Sequence, residues 1–267
     1  FALTPLAQPL RTDHPFSLRD TYALLACDVR AWARLAHTTR TGEAGFARAH
    51  GQAYWDYLAS HPDDSAAVDR WMESATRLHL RTVLPAYAWN GFGTVVDVGG
   101  GTGAFLAGLL RRFPAMRGVL FDLPHVVAGA PAVLAAAGVA DRCEVVAGDF
   151  LVDAVPAGAD AYVLKTVLPG FDDRDAAAAL RRVRAAMRPD SRLLALEAIL
   201  PEGDAFDIAK LFDVHTMVLT GGAHRTLDQM RRLLRRAGLH LTAATPTVTL
   251  TVLEGHPDNR PPDEPEA

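Results

Sequence analysis

Residues 95–105 read VVDVGGGTGAF, and this stretch decides the fold. A short β-branched run carrying one carboxylate, Asp97, leads into Gly99, Gly100, Gly101, Thr102 and Gly103. An apolar helical pattern, FLAGLLRRF (105–113), follows at once. The β-branched run predicts a buried strand and the spacing after it a helix. Glycines between them permit positive φ and close backbone approach, and the amides that open a helix face a ligand. A dinucleotide site would carry GxGxxG, with glycine at the sixth position. Here Gly99, Gly101 and Gly103 are followed by Ala104 and Phe105, so the loop alone does not specify its ligand.

Downstream of this loop, apolar runs and helical patterns alternate. GVLFD (118–122), CEVVAGDF (143–150), DAYVLK (160–165) and SRLLALEA (191–198) read as strands. PHVVAGAPAVLAAAG (124–138), DDRDAAAALRRVRAAM (172–187) and a stretch over about 205–236 read as helices. LHLTAATPTVTLTVLEG (239–255) reads as a closing antiparallel pair. Such alternation predicts an α/β fold with a mostly parallel sheet and helices on both faces. Upstream, residues 1–90 read as helical. Ser17 is the expected N-cap of a first helix through TYALLACDVRAWARL (21–35), GFARAHGQAYWDYLASHP (45–62) of a second, and 65–89 of a third. The expected division is a helical portion over 1–90, a ligand-binding portion over 91–255 and a disordered Pro- and Asp-rich tail over 256–267.

The chain has 267 residues, 49% of them hydrophobic, a net charge of −4 and a pI near 6.2. An acidic balance excludes a general nucleic-acid binder, and the arginines of RRLLRR (231–236) sit at helical spacing as a solvated face. Two cysteines, Cys27 and Cys143, make no disulfide framework, and ten scattered histidines make no metal pattern. No apolar run reaches membrane-spanning length and no signal peptide is visible, so a cytoplasmic protein is expected.

Four predicted strands end in groups suited to a nucleoside. Asp97 stands just before the glycines. Asp122 ends LFDLP, where a carboxylate can accept ribose hydroxyls. Asp149 and Phe150 end AGDF, offering an acceptor and an aromatic face to adenine, and Lys165 ends AYVLK. All lie at the carboxyl edge of the predicted sheet, where open α/β sheets bind ligands. Singly, each carboxylate could cap a helix and Phe150 could be core; together they favour an adenosyl ligand.

In order and spacing, VVDVGGGTG, GVLFDLPHVV, RCEVVAGDFL, AYVLKTVL, LEAILPEGD and GGAHRT resemble the S-adenosylmethionine-dependent O-methyltransferases of plant phenolic and actinobacterial polyketide-tailoring pathways. The resemblance implies a Rossmann-like class I methyltransferase sheet, a helical linker and lid upstream, and S-adenosylmethionine or S-adenosylhomocysteine as cofactor. Carried over by position, Gly99 and Gly101 cradle methionine, Asp122 holds ribose, Asp149 and Phe150 meet adenine, and Lys165 lies close by. It further implies a small aromatic or polyketide substrate, a homodimer, and a dimerisation domain that in the family lies upstream of the region where this chain begins.

One loop departs from the family. Where its members usually read LHDWDD, this chain reads LPGFDD (168–173): Pro169 replaces the histidine base, Gly170 an aspartate and Phe171 a tryptophan. Of two glutamates that orient that histidine, Glu197 is kept and the other is replaced by His224 in GGAHRT. Three outcomes are open. Methyl transfer can proceed by positioning alone; the base can have moved to His224 or to His215 in FDVHTM; or the fold can keep the cofactor for hydroxylation, decarboxylation or pericyclic chemistry. A non-catalytic cofactor-binding module is a fourth. Trp55, Met72, Pro169, Phe171, Asp213 and Met217 are candidate substrate contacts, with Tyr54, Tyr57 and Trp71 either beside them or packed in the helices. No metal site is expected.

Overall fold

A computed structural model describes residues 2–14, 17–20 and 25–258. Seven strands form one sheet: β1 (Thr94–Val98), β2 (Arg117–Asp122), β3 (Cys143–Ala147), β4 (Ala161–Lys165), β5 (Arg192–Glu197), β6 (Leu239–Pro246) and β7 (Thr251–Pro257). Their order is β3-β2-β1-β4-β5-β7-β6. The first five strands are parallel, and β7 enters antiparallel between β5 and β6. The chain therefore steps outward from β1 to β3 and then returns to the other side of β1 with β4. That reversal opens a crevice above the carboxyl ends of β1 and β4.

Side-chain alternation along the strands builds two cores. In β4, Ala161 and Val163 face one layer while Tyr162 and Leu164 face the other, and all four are fully buried. Four helices supply the covering layers: α5 (Pro62–Val83) and α6 (Ala104–Arg112) on one face, α9 (Asp173–Ala186) and α11 (Leu227–Arg236) on the other. Two short helices, α7 (Pro124–Val127) and α8 (Ala130–Ala136), lead from β2 to β3.

A third cluster joins the N-terminal helices to the sheet domain. It packs α1 (Ala26–Trp32), α3 (Gly45–His50) and α4 (Tyr54–Ser60) against α10 (Ile208–Thr220) through Phe46, Tyr54, Tyr57, Val218 and Leu219. The short α2 (Leu35–Thr41) lies between α1 and α3.

Four sequence expectations are corrected. Ser17 does not cap α1: its hydroxyl accepts from the Arg19 amide at 3.4 Å, and α1 begins at Ala26 after an extended Leu25. Residues 21–24 of that expected helix lie outside the described residues. The expected second helix is two, because Gly51 ends α3 at φ 76° and leaves α4 to restart at Tyr54. The stretch over 205–236 is likewise two helices, since Gly221 ends α10 at φ 75°. Finally, the tail does not start at His256: β7 runs to Pro257, which pairs with Leu239. Residues 259–267 lie outside the described residues.

Candidate active site

The glycine loop leaves β1 beneath the crevice, and glycine is required there by space as well as by φ. A Cβ on Gly99 (φ 68°) would lie 2.8 Å from Val167 and 3.3 Å from the Phe150 ring. Above it lies a cavity of about 550 Å³. Gly99, Gly101, Asp122, Asp149, Phe150 and Lys165 all line it, as do Trp55, Met72 and Phe171. The structure thus brings together most residues that the sequence placed at strand ends, and draws three substrate candidates to the same cavity.

Their hydrogen bonds leave acceptors to spare. Asp122 takes the Gly101 amide on Oδ2 and the Leu123 amide on Oδ1, both at 2.7 Å. Each carboxylate oxygen keeps a further lone pair. Burial pushes the Asp122 carboxyl up, and those two amides pull it back. Asp149 Oδ1 accepts from Leu151 at 2.8 Å, which shapes the end of β3. Phe150 meets Phe171 edge-on, with ring centroids 5.6 Å apart.

Below the loop three charges lie across adjacent strands: Asp97 on β1, Lys165 on β4 and Glu197 on β5. Neither oxygen of Asp97 finds a hydrogen-bond partner, nor does Oε2 of Glu197. Burial pushes Asp97 up to about 7 and Glu197 up to about 8, each partly offset by the Lys165 ammonium. Burial lowers Lys165 in turn. Buried polar groups are almost always paired, so these free acceptors ask for water or ligand.

The 168–171 loop is a rigid turn without a proton-transfer group. Leu168–Gly170 form a 3-10 turn with Pro169 buried in it. Glu197 Oε1 accepts the Leu168 amide at 3.2 Å, so the retained glutamate holds main chain. Proline has no titrating atom, and nothing in this turn supplies one.

The histidine candidates lie elsewhere, and neither lines the cavity. His215 Nδ1 accepts from Trp32 Nε1 at 3.0 Å, so in the neutral ring the proton sits on Nε2. His224 Nδ1 approaches the Ala198 carbonyl at 3.2 Å and must donate to it, which leaves Nε2 as an acceptor. Burial holds both rings below the usual histidine range. Of the two, only His224 has a lone pair uncommitted. Asp213 does not reach the cavity lining; it anchors the 221–226 loop by accepting the His224 amide at 2.8 Å. Pro169 and Met217 are not in the lining either. Tyr54 and Tyr57 pack edge-on to Phe46 at 4.9 and 5.2 Å, so they belong to the helical core, whereas Trp55 opens onto the cavity.

Sequence reasoning found Met72 on α5 but missed the acidic part of that wall. Asp69 and Glu73 both line the cavity beside Met72, and Glu73 accepts from the Thr102 hydroxyl at 2.8 Å. Burial and the neighbouring Glu73 and Asp122 charges push Asp69 up to about 6. The signal was present as an i, i+4 spacing of carboxylates on a helix that also carries Met72.

Known proteins are similar to this chain in sequence and fold. The O-methyltransferase domain profile matches residues 32–240. A phenazine O-methyltransferase of Lysobacter antibioticus is 39% identical over 259 residues, covering 96% of this chain and 76% of its own length. Aclacinomycin 10-hydroxylase of Streptomyces purpurascens is 33% identical over 245 residues, covering 90% of this chain and 65% of its own. Among solved structures, an O-methyltransferase from neocarzinostatin biosynthesis was crystallised with S-adenosylmethionine and 2-hydroxy-5-methyl naphthoic acid. It superposes with a TM-score of 0.86 at 32% identity, over 96% of this chain and 78% of that one.

Proposed function

The chain belongs to the O-methyltransferase family, and from that premise we propose that it methylates a hydroxyl of a phenolic or polyketide-type small molecule in secondary metabolism, without a histidine base. One observation carries this reading: an adenosyl-sized cavity with its strand-end acceptors in place opens beside a turn that holds proline where a base would stand. The division into a helical portion over 1–90 and a cofactor-binding portion over 91–255 belongs to the same reading. So does a homodimer, for which Leu211 and Phe212 on α10 and Val29 on α1 offer exposed apolar surface.

The residues present fit S-adenosylmethionine. The Gly99–Gly103 loop leaves room for the methionine part, Asp122 has lone pairs for ribose hydroxyls, and Asp149 with Phe150 suits adenine. When bound, the cofactor supplies an electrophilic methyl on a sulfonium and leaves as S-adenosylhomocysteine. What the protein adds is orientation and exclusion of water. Orientation contributes roughly 7–11 kcal/mol in well-placed reactions. A general base is worth about 10²–10⁴-fold, so its loss slows a reaction without abolishing it. A phenol acidified by conjugation with a carbonyl is partly ionised near neutral pH, and that phenolate fraction then needs only placement.

A second reading rests on the same turn. A relative at 33% identity carries the name of a hydroxylase, so the family also holds chemistry that is not methylation. There a bound sulfonium would act as a fixed positive charge that stabilises developing negative charge. Isotope-labelled methyl on S-adenosylmethionine separates the two. Label on the aromatic acceptor, matched by S-adenosylhomocysteine, supports methylation. An oxidised, decarboxylated or isomerised acceptor, with the label left on the cofactor, replaces it by the second reading. Cofactor binding without turnover of any acceptor leaves a binding module and an untried acceptor standing together.

A further inference from the structure

Arg225 is only 4% exposed, in the loop between α10 and α11, and its guanidinium is committed to the neighbourhood of one short segment. Nη1 donates to the Leu168 carbonyl and to the Ala223 carbonyl, both at 3.0 Å, and Nη2 donates to the Phe171 carbonyl at 2.9 Å. Nε pairs with Asp173 at 2.9 Å. Asp173 is 59% exposed, so that ion pair contributes little by itself. The bonds to main chain are the distinctive ones. Leu168 has its amide held by Glu197 and its carbonyl by Arg225, from opposite sides of the turn. Gly222 backs the same turn so closely that a Cβ there would lie 2.0 Å from the Pro169 carbonyl oxygen.

This segment ends in a side chain that lines the cavity. Phe171 sits edge-on to Phe150, and both face the same space. We propose that Arg225 is a positioning residue: by holding the carbonyls of Leu168 and Phe171, it sets the Phe171 ring as a wall of the cofactor cavity. A guanidinium suits this role because its planar fork reaches several carbonyls at once, which an ammonium on a flexible stem does not. Glycine at 222 and glutamate at 197 serve the same placement from the other sides. The inference rests on the reading of this cavity as the cofactor site.

Calorimetry with S-adenosylhomocysteine on the full chain tests it without needing any acceptor. Arg225→Lys is expected to weaken binding about tenfold, and Phe171→Leu by a similar factor. The double variant is expected to bind no more weakly than the weaker single one, because both changes act through one ring. A purely structural arginine would lower the melting temperature and leave the affinity of the folded protein unchanged. Should Arg225→Lys fail to fold, Gly222→Ala displaces the same turn from behind and is expected to show the same tenfold loss. Unchanged affinity in the folded variants, or losses that multiply in the double variant, overturns the proposal. Absence of binding by the unaltered chain overturns instead the cofactor reading, and this inference with it.

Discussion

Gly99 shows how much one residue settles. Its φ of 68° lies in the left-handed region, and a Cβ there would press on Val167 and Phe150. Gly99→Ala is therefore expected to raise the dissociation constant for S-adenosylhomocysteine at least about tenfold by calorimetry, with a stability loss of roughly 1–2 kcal/mol from the backbone alone. Glu197 makes a different prediction. Its carboxyl is raised from 4.5 to about 8 by burial, so its ionisation opposes folding. The stabilising contribution is complete below pH about 4.5 and is lost as pH rises through about 8. Glu197→Gln keeps the acceptor for the Leu168 amide and removes the charge. Denaturant unfolding is expected to show the variant gaining on the unaltered chain between pH 5 and pH 9, by about 4 kcal/mol. A gap that stays constant with pH would mean that the buried carboxyl is not the titrating group. Residue types of this kind were legible in the sequence: Asp122, Asp149, Phe150 and Lys165 could be placed at strand ends by counting. Their hydrogen-bond states could not, because which lone pairs remain free depends on loop geometry.

Elements were legible where the hydrophobic period was long and unbroken. Strands β1, β2, β4 and β5 and helices α6 and α9 stand within a residue or two of where the apolar runs predict them, while β3 stops at Ala147, three residues short of its predicted end. The errors fall at glycines, where the same residue serves as a helix breaker or a tolerated interior position. Gly51 and Gly221 adopt positive φ and end helices, and only tertiary packing decides that. Where a cap is real it carries stability. Thr226 and Gln229 form a complete capping box at the start of α11, and Thr226→Ala is expected to cost about 1 kcal/mol in thermal unfolding. Tyr87 ties the α5–β1 connection to β7 by donating to Glu254 at 2.5 Å. Glu254 retains Arg192 and His256, so Tyr87→Phe is expected to cost about 1 kcal/mol and to leave S-adenosylhomocysteine affinity unchanged.

At the scale of the molecule, the strand order brings the ends of β1, β2, β3 and β4 to one rim, and α4 and α5 complete the cavity from above. The sheet half of that cavity follows from a pattern of alternation; the helical half does not. Asp69 and Glu73 enter it only because α5 crosses the crevice, and no local signal fixes where a long helix will lie. The replaced base is likewise a property of the assembled site. Pro169 alone announces a missing proton acceptor, while in the folded protein the surrounding groups hold main chain and helices in place. Glu197 binds the Leu168 amide, Arg225 the carbonyls of Leu168 and Phe171, and His215 the Trp32 indole. On the proposed reading, such a site would orient an acceptor that arrives already ionised. The decisive measurement is transfer of a labelled methyl to a set of phenols of graded acidity, with kcat/KM followed across pH for each. Label on the phenol is expected, with a rise in rate whose midpoint moves with the acidity of the phenol. A midpoint near neutrality that stays fixed whichever phenol is used would place the base on the protein, with His224 the first group to replace, and would contradict a site that works by placement alone.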